Sequence, residues 1–303
     1  MNVWKRRNRL RYGRLLAFLA AAVVVISCEA FLPQESESYR ATELPEDVTE
    51  LFEVHGGDPD SGTVWIYEQG GPIHELVGDY GSFSAYQGHR DIHFVQPHQT
   101  LTLNADLAAR AEEYTLAELQ AEVDVSVEIL HRTIQHFRSQ GKRVVVIGHS
   151  YGAFLITRYL WQKPPESADR YLIMAGRLDM PKVVVNGFLN GQVYYFPDGV
   201  TPVDSGMRET TDRGLMEMRI AAATGHDRYT ERLAERDLGR VIYVYGTEDV
   251  AVGRLTADEV GFLESRGAKV IVAEGGDHGS MFEDVDVVRE ITDALQQPSA
   301  AVR

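Results

Sequence analysis

Ser150 sits at the centre of Gly148-His149-Ser150-Tyr151-Gly152, a G-x-S-x-G pattern that follows four β-branched residues, Val144, Val145, Val146 and Ile147. Small residues two before and two after a serine suit a sharp strand-to-helix turn, where larger side chains would collide. Such a turn lifts the hydroxyl clear of the strand and sets it at a helix start, where free N–H groups favour developing negative charge. A serine hydroxyl is a weak nucleophile near neutral pH, so it needs a base, and the base needs an orienting partner. Among ten histidines, His278 fits best, because Gly275-Gly276-Asp277-His278-Gly279-Ser280 is a glycine-rich loop between a strand-like run and the last helical pattern. Asp249, in Gly246-Thr247-Glu248-Asp249, lies just past another strand end and can meet the second imidazole nitrogen. Asp179, Glu248 and Asp277 are alternatives for that acid. His149 should point away from the serine and reads as a packing residue. An oxyanion would be held by the amide of Tyr151 and by a second amide from an early loop. Glu68-Gln69-Gly70-Gly71-Pro72 offers Gly71, since glycines allow close backbone approach and Pro72 fixes the turn.

These residues need a scaffold that brings strand ends together. Short β-branched runs at 63–67, 92–95, 144–147, 241–245 and 270–272, with a weaker one at 171–174, read as strands buried on both faces. Between them lie helical patterns. Leu116, Leu119, Val123, Val127, Leu130, Ile134 and Phe137 recur every three or four residues, and further helices are expected near 151–162, 255–266 and 281–296. Strands alternating with helices predict an α/β fold, a mostly parallel sheet covered on both faces. Residues 180–240 break the rhythm with an aromatic, Gly/Pro-rich stretch and two helical patterns. They read as a small cap inserted over one end of the sheet.

The 303 residues carry a net charge of −15, and the acidic excess lies in the body of the chain. Phosphate backbones would be repelled, which argues against a nucleic-acid partner. His89, Asp91, His93 and His98 cluster in sequence, and a strand at 92–95 would put Asp91 and His93 on one face. No convincing further ligand accompanies them, so no metal and no cofactor are expected. The N-terminus joins a basic stretch (Lys5, Arg6, Arg7, Arg9, Arg11, Arg14) to an apolar run at 15–26 and then Ser27-Cys28, the only cysteine. That is the layout of a secretory signal, too short for the ~20 residues that span a bilayer. Residues 28–47 are polar, acidic and proline-containing, and read as a tether to a folded domain at 48–297.

Two resemblances follow from these motifs. Val25-Ile26-Ser27-Cys28 resembles the lipobox of bacterial lipoproteins, which implies that residues 1–27 are removed and Cys28 is acylated. The protein would then be secreted across the inner membrane and anchored by lipid in the cell envelope. Strand–GHSYG–helix, the early GGP loop, the aspartate of GTED and the late DHG histidine together resemble the α/β-hydrolase superfamily over about residues 48–297. The resemblance implies Ser150, Asp249 and His278 as a catalytic triad, in the chain order of that fold, and Gly71 and Tyr151 as the oxyanion hole. Gln69-Gly70-Gly71-Pro72 is similar to the HGGPG loop of proline iminopeptidases, but glutamine replaces the histidine and Ile73 the last glycine. The expected activity is therefore hydrolysis of a small-molecule carboxylic ester. Alternatives are an amide-cleaving aminopeptidase and a non-catalytic scaffold on the same fold. Within the cap, Tyr194, Tyr195 and Phe196 would build an apolar acyl pocket. Glu209, Asp212 and Glu217 would instead receive a substrate ammonium, although their alternation with Arg208, Arg213 and Arg219 suits a solvated helix face.

Overall fold

The computed structural model describes residues 39–297. In chain order its strands are β1 (Phe52–Gly57), β2 (Thr63–Glu68), β3 (His93–Pro97), β4 (Arg143–His149), β5 (Arg170–Met174), β6 (Gln192–Tyr195), β7 (Val203–Arg208), β8 (Val241–Gly246) and β9 (Lys269–Ala273). The helices are α1 (Thr100–Leu103), α2 (Leu116–Ser139), α3 (Tyr151–Gln162), α4 (Lys182–Leu189), α5 (Asp212–Thr224), α6 (Tyr229–Arg232), α7 (Ala257–Ser265), α8 (Ser280–Glu283) and α9 (Val285–Gln296). Seven strands form one sheet in the order β1-β3-β2-β4-β5-β8-β9. All neighbours are parallel except β1, which runs antiparallel to β3 at the edge.

The side-chain period of two divides each central strand between two covered faces. Trp65 and Tyr67 of β2, Val145 and Ile147 of β4, and Ile242 and Val244 of β8 join one core with Ile291 and Leu295 of α9. On the other face α2 packs against β4, and α3 against β2, β4 and β5. Helix α2 starts where Thr115 and Glu118 form a reciprocal capping box, which satisfies amides that the first turn leaves free.

Three local readings change. β1 escapes the strand pattern because Phe52-Glu53-Val54-His55-Gly56-Gly57 mixes polar residues and glycine on a half-exposed edge. The last helix is interrupted: Asp284 leaves helical geometry and caps α9 by accepting from the Asp286 and Val287 amides. β3 begins at His93, so Asp91 lies in the preceding helical turn rather than on the strand.

Residues before Val48 also pack on the domain. Ala41 and Leu44 pack with Leu51, Val125 and Ile129. The Thr42 amide donates to Glu122 Oε1 at 3.0 Å, and Arg132 donates to the carbonyls of Pro45 (2.9 Å) and Glu46 (2.8 Å). The folded unit therefore starts at Ala41. Leucine, alanine and an extended backbone with free carbonyls are enough to fill a groove beside α2, even in a polar segment. Cys28 and the signal-like run lie outside the described residues. No helix among the described residues is long and apolar enough to cross a membrane.

Residues 180–240 hold α4, a two-stranded hairpin of β6 and β7, α5 and α6. Helix α5 packs against α4, α2 and α3.

Candidate active site

The turn between β4 and α3 carries Ser150 at φ 56° and ψ −119°, a left-handed conformation that costs a non-glycine residue of order 1–3 kcal/mol. The flanking glycines have a visible steric cause. A Cβ on Gly148 would lie 2.5 Å from the Gly152 carbonyl oxygen, and one on Gly152 only 2.0 Å from that of Glu68. The Ser150 amide is tied down by donating to the Met174 carbonyl at 3.0 Å.

His278 follows β9 and its Nδ1 lies 2.7 Å from Asp249 Oδ2. Asp249 is completely buried beyond the end of β8. Its other oxygen accepts the amides of Ala251 (2.8 Å) and Val252 (3.2 Å). A carboxylate only accepts, so it selects the imidazole tautomer that carries the proton on Nδ1 and leaves Nε2 basic.

The competing acids are engaged elsewhere. Asp179 accepts from the Thr230 amide and hydroxyl and pairs with Arg228 at 3.0 Å. Asp277 binds the Gly279 amide and the Ser280 hydroxyl. Glu248 is exposed.

His149 does more than fill space. Its Nε2 donates to the His278 carbonyl at 2.8 Å, and the two rings stand 4.8 Å apart. Burial pushes His149 down to about 4, so it stays neutral and braces the His278 loop as a donor.

The 69–77 loop passes close over the serine: a Cβ on Gly70 would lie 3.3 Å from Ser150 Cβ. Gly71 adopts φ 125°, where a side chain would strike Ile73. The buried Gln69 side chain holds the loop by donating to the Glu75 carbonyl (2.9 Å) and accepting from the Val77 amide (3.0 Å). At its far end the loop meets α5. Arg213 reaches Glu75 at 3.2 Å, and Glu217 lies 3.7 Å from His74.

Ser150, Tyr151 and Gly71 open together into a cavity of about 70 Å³. Its other walls are apolar: Phe154 of α3, Val184 and Phe188 of α4, Ala222 of α5, Phe196 and Val252. Among the described residues, no carboxylate and no cation lines it. Of the aromatic cluster only Phe196 faces the cavity. Tyr195 is exposed, and Tyr194 packs on Gly187. Glu209 binds the Thr210 and Thr211 amides, and Glu217 pairs with Arg213 at 3.7 Å. The small residues of α5 and the α4 walls carried no readable signal, because apolar helix faces look alike whether they meet a core or a cavity.

The histidines near 89–98 diverge. His89 contacts the Tyr86 carbonyl, His93 packs edge-on against Phe137, and His98 contacts the Thr102 hydroxyl. Among the described residues no three metal-ligating side chains converge.

A family model described as "Alpha/beta hydrolase family" matches residues 11–291. Among solved structures the chain is similar to MGS-M2, an alpha/beta hydrolase enzyme from a Medee basin deep-sea metagenome library. Identity is 13% and TM-score 0.51, with 83% of this chain and 96% of that one covered. It is also similar to a candidate aryl esterase from Burkholderia cenocepacia, at 11% identity and TM-score 0.52, over 81% of this chain and 93% of that one. At these identities the likeness speaks to the fold alone. No curated protein matches the chain.

Proposed function

The chain belongs to the alpha/beta hydrolase family, and from that premise we propose that it is a serine hydrolase cleaving esters of short apolar acyl groups. Ser150 Oγ attacks the ester carbonyl carbon while His278 Nε2 takes its proton. Asp249 holds the imidazole and balances the imidazolium that forms. The amides of Tyr151 and Gly71 receive the negative oxygen of the tetrahedral intermediate. Collapse expels the alcohol with a proton from His278, leaving an acyl-Ser150 ester. Water, deprotonated by the same histidine, then releases the acid.

What supports an ester over a peptide is the lining of the cavity. A substrate ammonium would have to be desolvated, which requires carboxylates aimed at the cleft. The walls are apolar instead. The test is kcat/KM for p-nitrophenyl butyrate against an N-terminal prolyl arylamide. The butyrate ester should be preferred clearly; preference for the arylamide, lost on Glu209→Gln or Glu217→Gln, would replace esterase with aminopeptidase. Wild-type protein that never labels with a fluorophosphonate, while a control hydrolase does, would favour a non-catalytic scaffold.

The attachment proposed with this activity is a lipid on Cys28, following a cleaved signal. It is supported by the sequence Val25-Ile26-Ser27-Cys28 after a basic and apolar run. Cys28→Ser should abolish incorporation of a clickable fatty acid; equal incorporation in both proteins would remove Cys28 as the site.

A further inference from the structure

The loop over Ser150 is preceded by a carboxyl group that the acyl-transfer steps leave unused. Glu68 is the last residue of β2 and is completely buried. It is in register with Gly148, and its carbonyl oxygen is the atom that forbids a side chain on Gly152. Glu68 therefore touches both sides of the site, the loop bearing Gly71 and the helix start bearing Tyr151. Alternation along β2 turns it away from Trp65 and Tyr67, toward the face covered by α2 and α3.

Its polar contacts are few. Gln99 Nε2 donates to Glu68 Oε2 at 3.4 Å and to the Gln69 carbonyl at 3.2 Å. Glu68 Oε1 is buried without a hydrogen-bond partner among the described residues. A carboxylate there could only accept, whereas a carboxylic acid carries a proton and needs no counter-ion. The titratable groups coupled to Glu68 are Tyr67 on its own strand and Tyr151 at the start of α3. From α2 comes Glu122, whose oxygens accept from the Thr42 amide and the Thr100 hydroxyl. No cation is coupled to Glu68 among the described residues, and burial pushes it up to about 8.

We propose that Glu68 is a positioning residue that works as a neutral carboxylic acid, bracing the Gly71 loop through Gln99. This rests on Gly71 and Tyr151 being the oxyanion donors. Ionised Glu68 would set a negative charge, without a counter-ion, beside the two segments where an oxyanion must form. Turnover should then fall while substrate binding holds.

The test compares wild type, Glu68→Gln and Glu68→Ala on p-nitrophenyl butyrate from pH 6 to pH 10. Wild-type kcat should fall about tenfold for each unit above the Glu68 value, with KM nearly constant. Glu68→Gln keeps a neutral donor, so it should retain neutral-pH kcat within about threefold and lose that alkaline fall. Glu68→Ala should be impaired about tenfold or more at every pH. Superimposed profiles for wild type and Glu68→Gln, or equal behaviour of Gln and Ala, would overturn the proposal.

Two readouts separate this from the nucleophile assignment. Infrared spectroscopy at pH 7 should show a protonated-carboxyl band that Glu68→Gln removes; its absence from wild type overturns the proposal whether or not Ser150 labels. The raised value in the fold also means that Glu68 adds stability below about pH 4.5, its ordinary value, and loses it as pH rises to about 8. The melting temperature of wild type should decline across that window more than that of Glu68→Gln.

Discussion

The two ends of the candidate site are built by different rules. At the sheet edge, each polar group sits in a turn whose residues are dictated locally: Ser150 between two glycines that nothing larger can replace, Asp249 and His278 just past strands β8 and β9. In the cap, the cavity wall is assembled from residues far apart in the chain, Val184, Phe196 and Ala222 among them, and each meets the cavity with an apolar side chain. The difference teaches that chemistry and selectivity can fail independently. Substitutions at the sheet edge should stop turnover, and substitutions in the cap should redirect it.

The largest expected effect is that of Ser150→Ala, a loss of roughly 10⁵–10⁶-fold in kcat with labelling abolished and the fold retained, checked by fluorophosphonate profiling and thermal melting. Asp249→Asn follows, at ~10³–10⁴-fold in kcat, because an amide presents a donor where the imidazole needs an acceptor. Asp179→Asn is its control and should stay within a few-fold; if the two results exchange places, the acid has been misassigned. Gly71→Ala is next. It puts a side chain at φ 125° against Ile73 and would disturb the proposed oxyanion donor, so kcat should drop by about 10²-fold or more and stability by about 1–3 kcal/mol. The smallest effect on rate, and the one that sharpens the contrast most, is Phe196→Ala. It should cost about 3–5 kcal/mol of stability yet shift preference from butyrate toward longer acyl esters, measured as the ratio of kcat/KM values. Glu217→Gln should leave that ratio unchanged, because Glu217 faces Arg213 and His74 rather than the cavity.

The edge strand, the cap and the N-terminal boundary show where a sequence stops speaking. β1 is half exposed and earns no alternating pattern. Residues 41–47 look like a linker by composition, yet a few apolar side chains and free carbonyls suffice to dock them beside α2. Tyr194, Tyr195 and Phe196 are one aromatic run, but in the hairpin neighbouring residues are sent to different surroundings, and only Phe196 reaches the cavity.

What could be read directly were features governed over a few residues. The buried strands follow from β-branched runs, the elbow from glycines at fixed spacing, and the ends of the parallel strands from the turns that stop them. A parallel sheet places all those ends along one edge, which makes Ser150, Asp249 and His278 candidates on sequence alone. Tertiary structure alone decided which acid meets His278, that His149 braces its loop, that Gln69 and Glu68 lie buried beside the Gly71 loop, and which cap residues form the pocket. Those outcomes depend on distances between segments tens to hundreds of residues apart. The free energy that selects them comes from excluding water and pairing polar groups across the core, terms that no short stretch of chain contains.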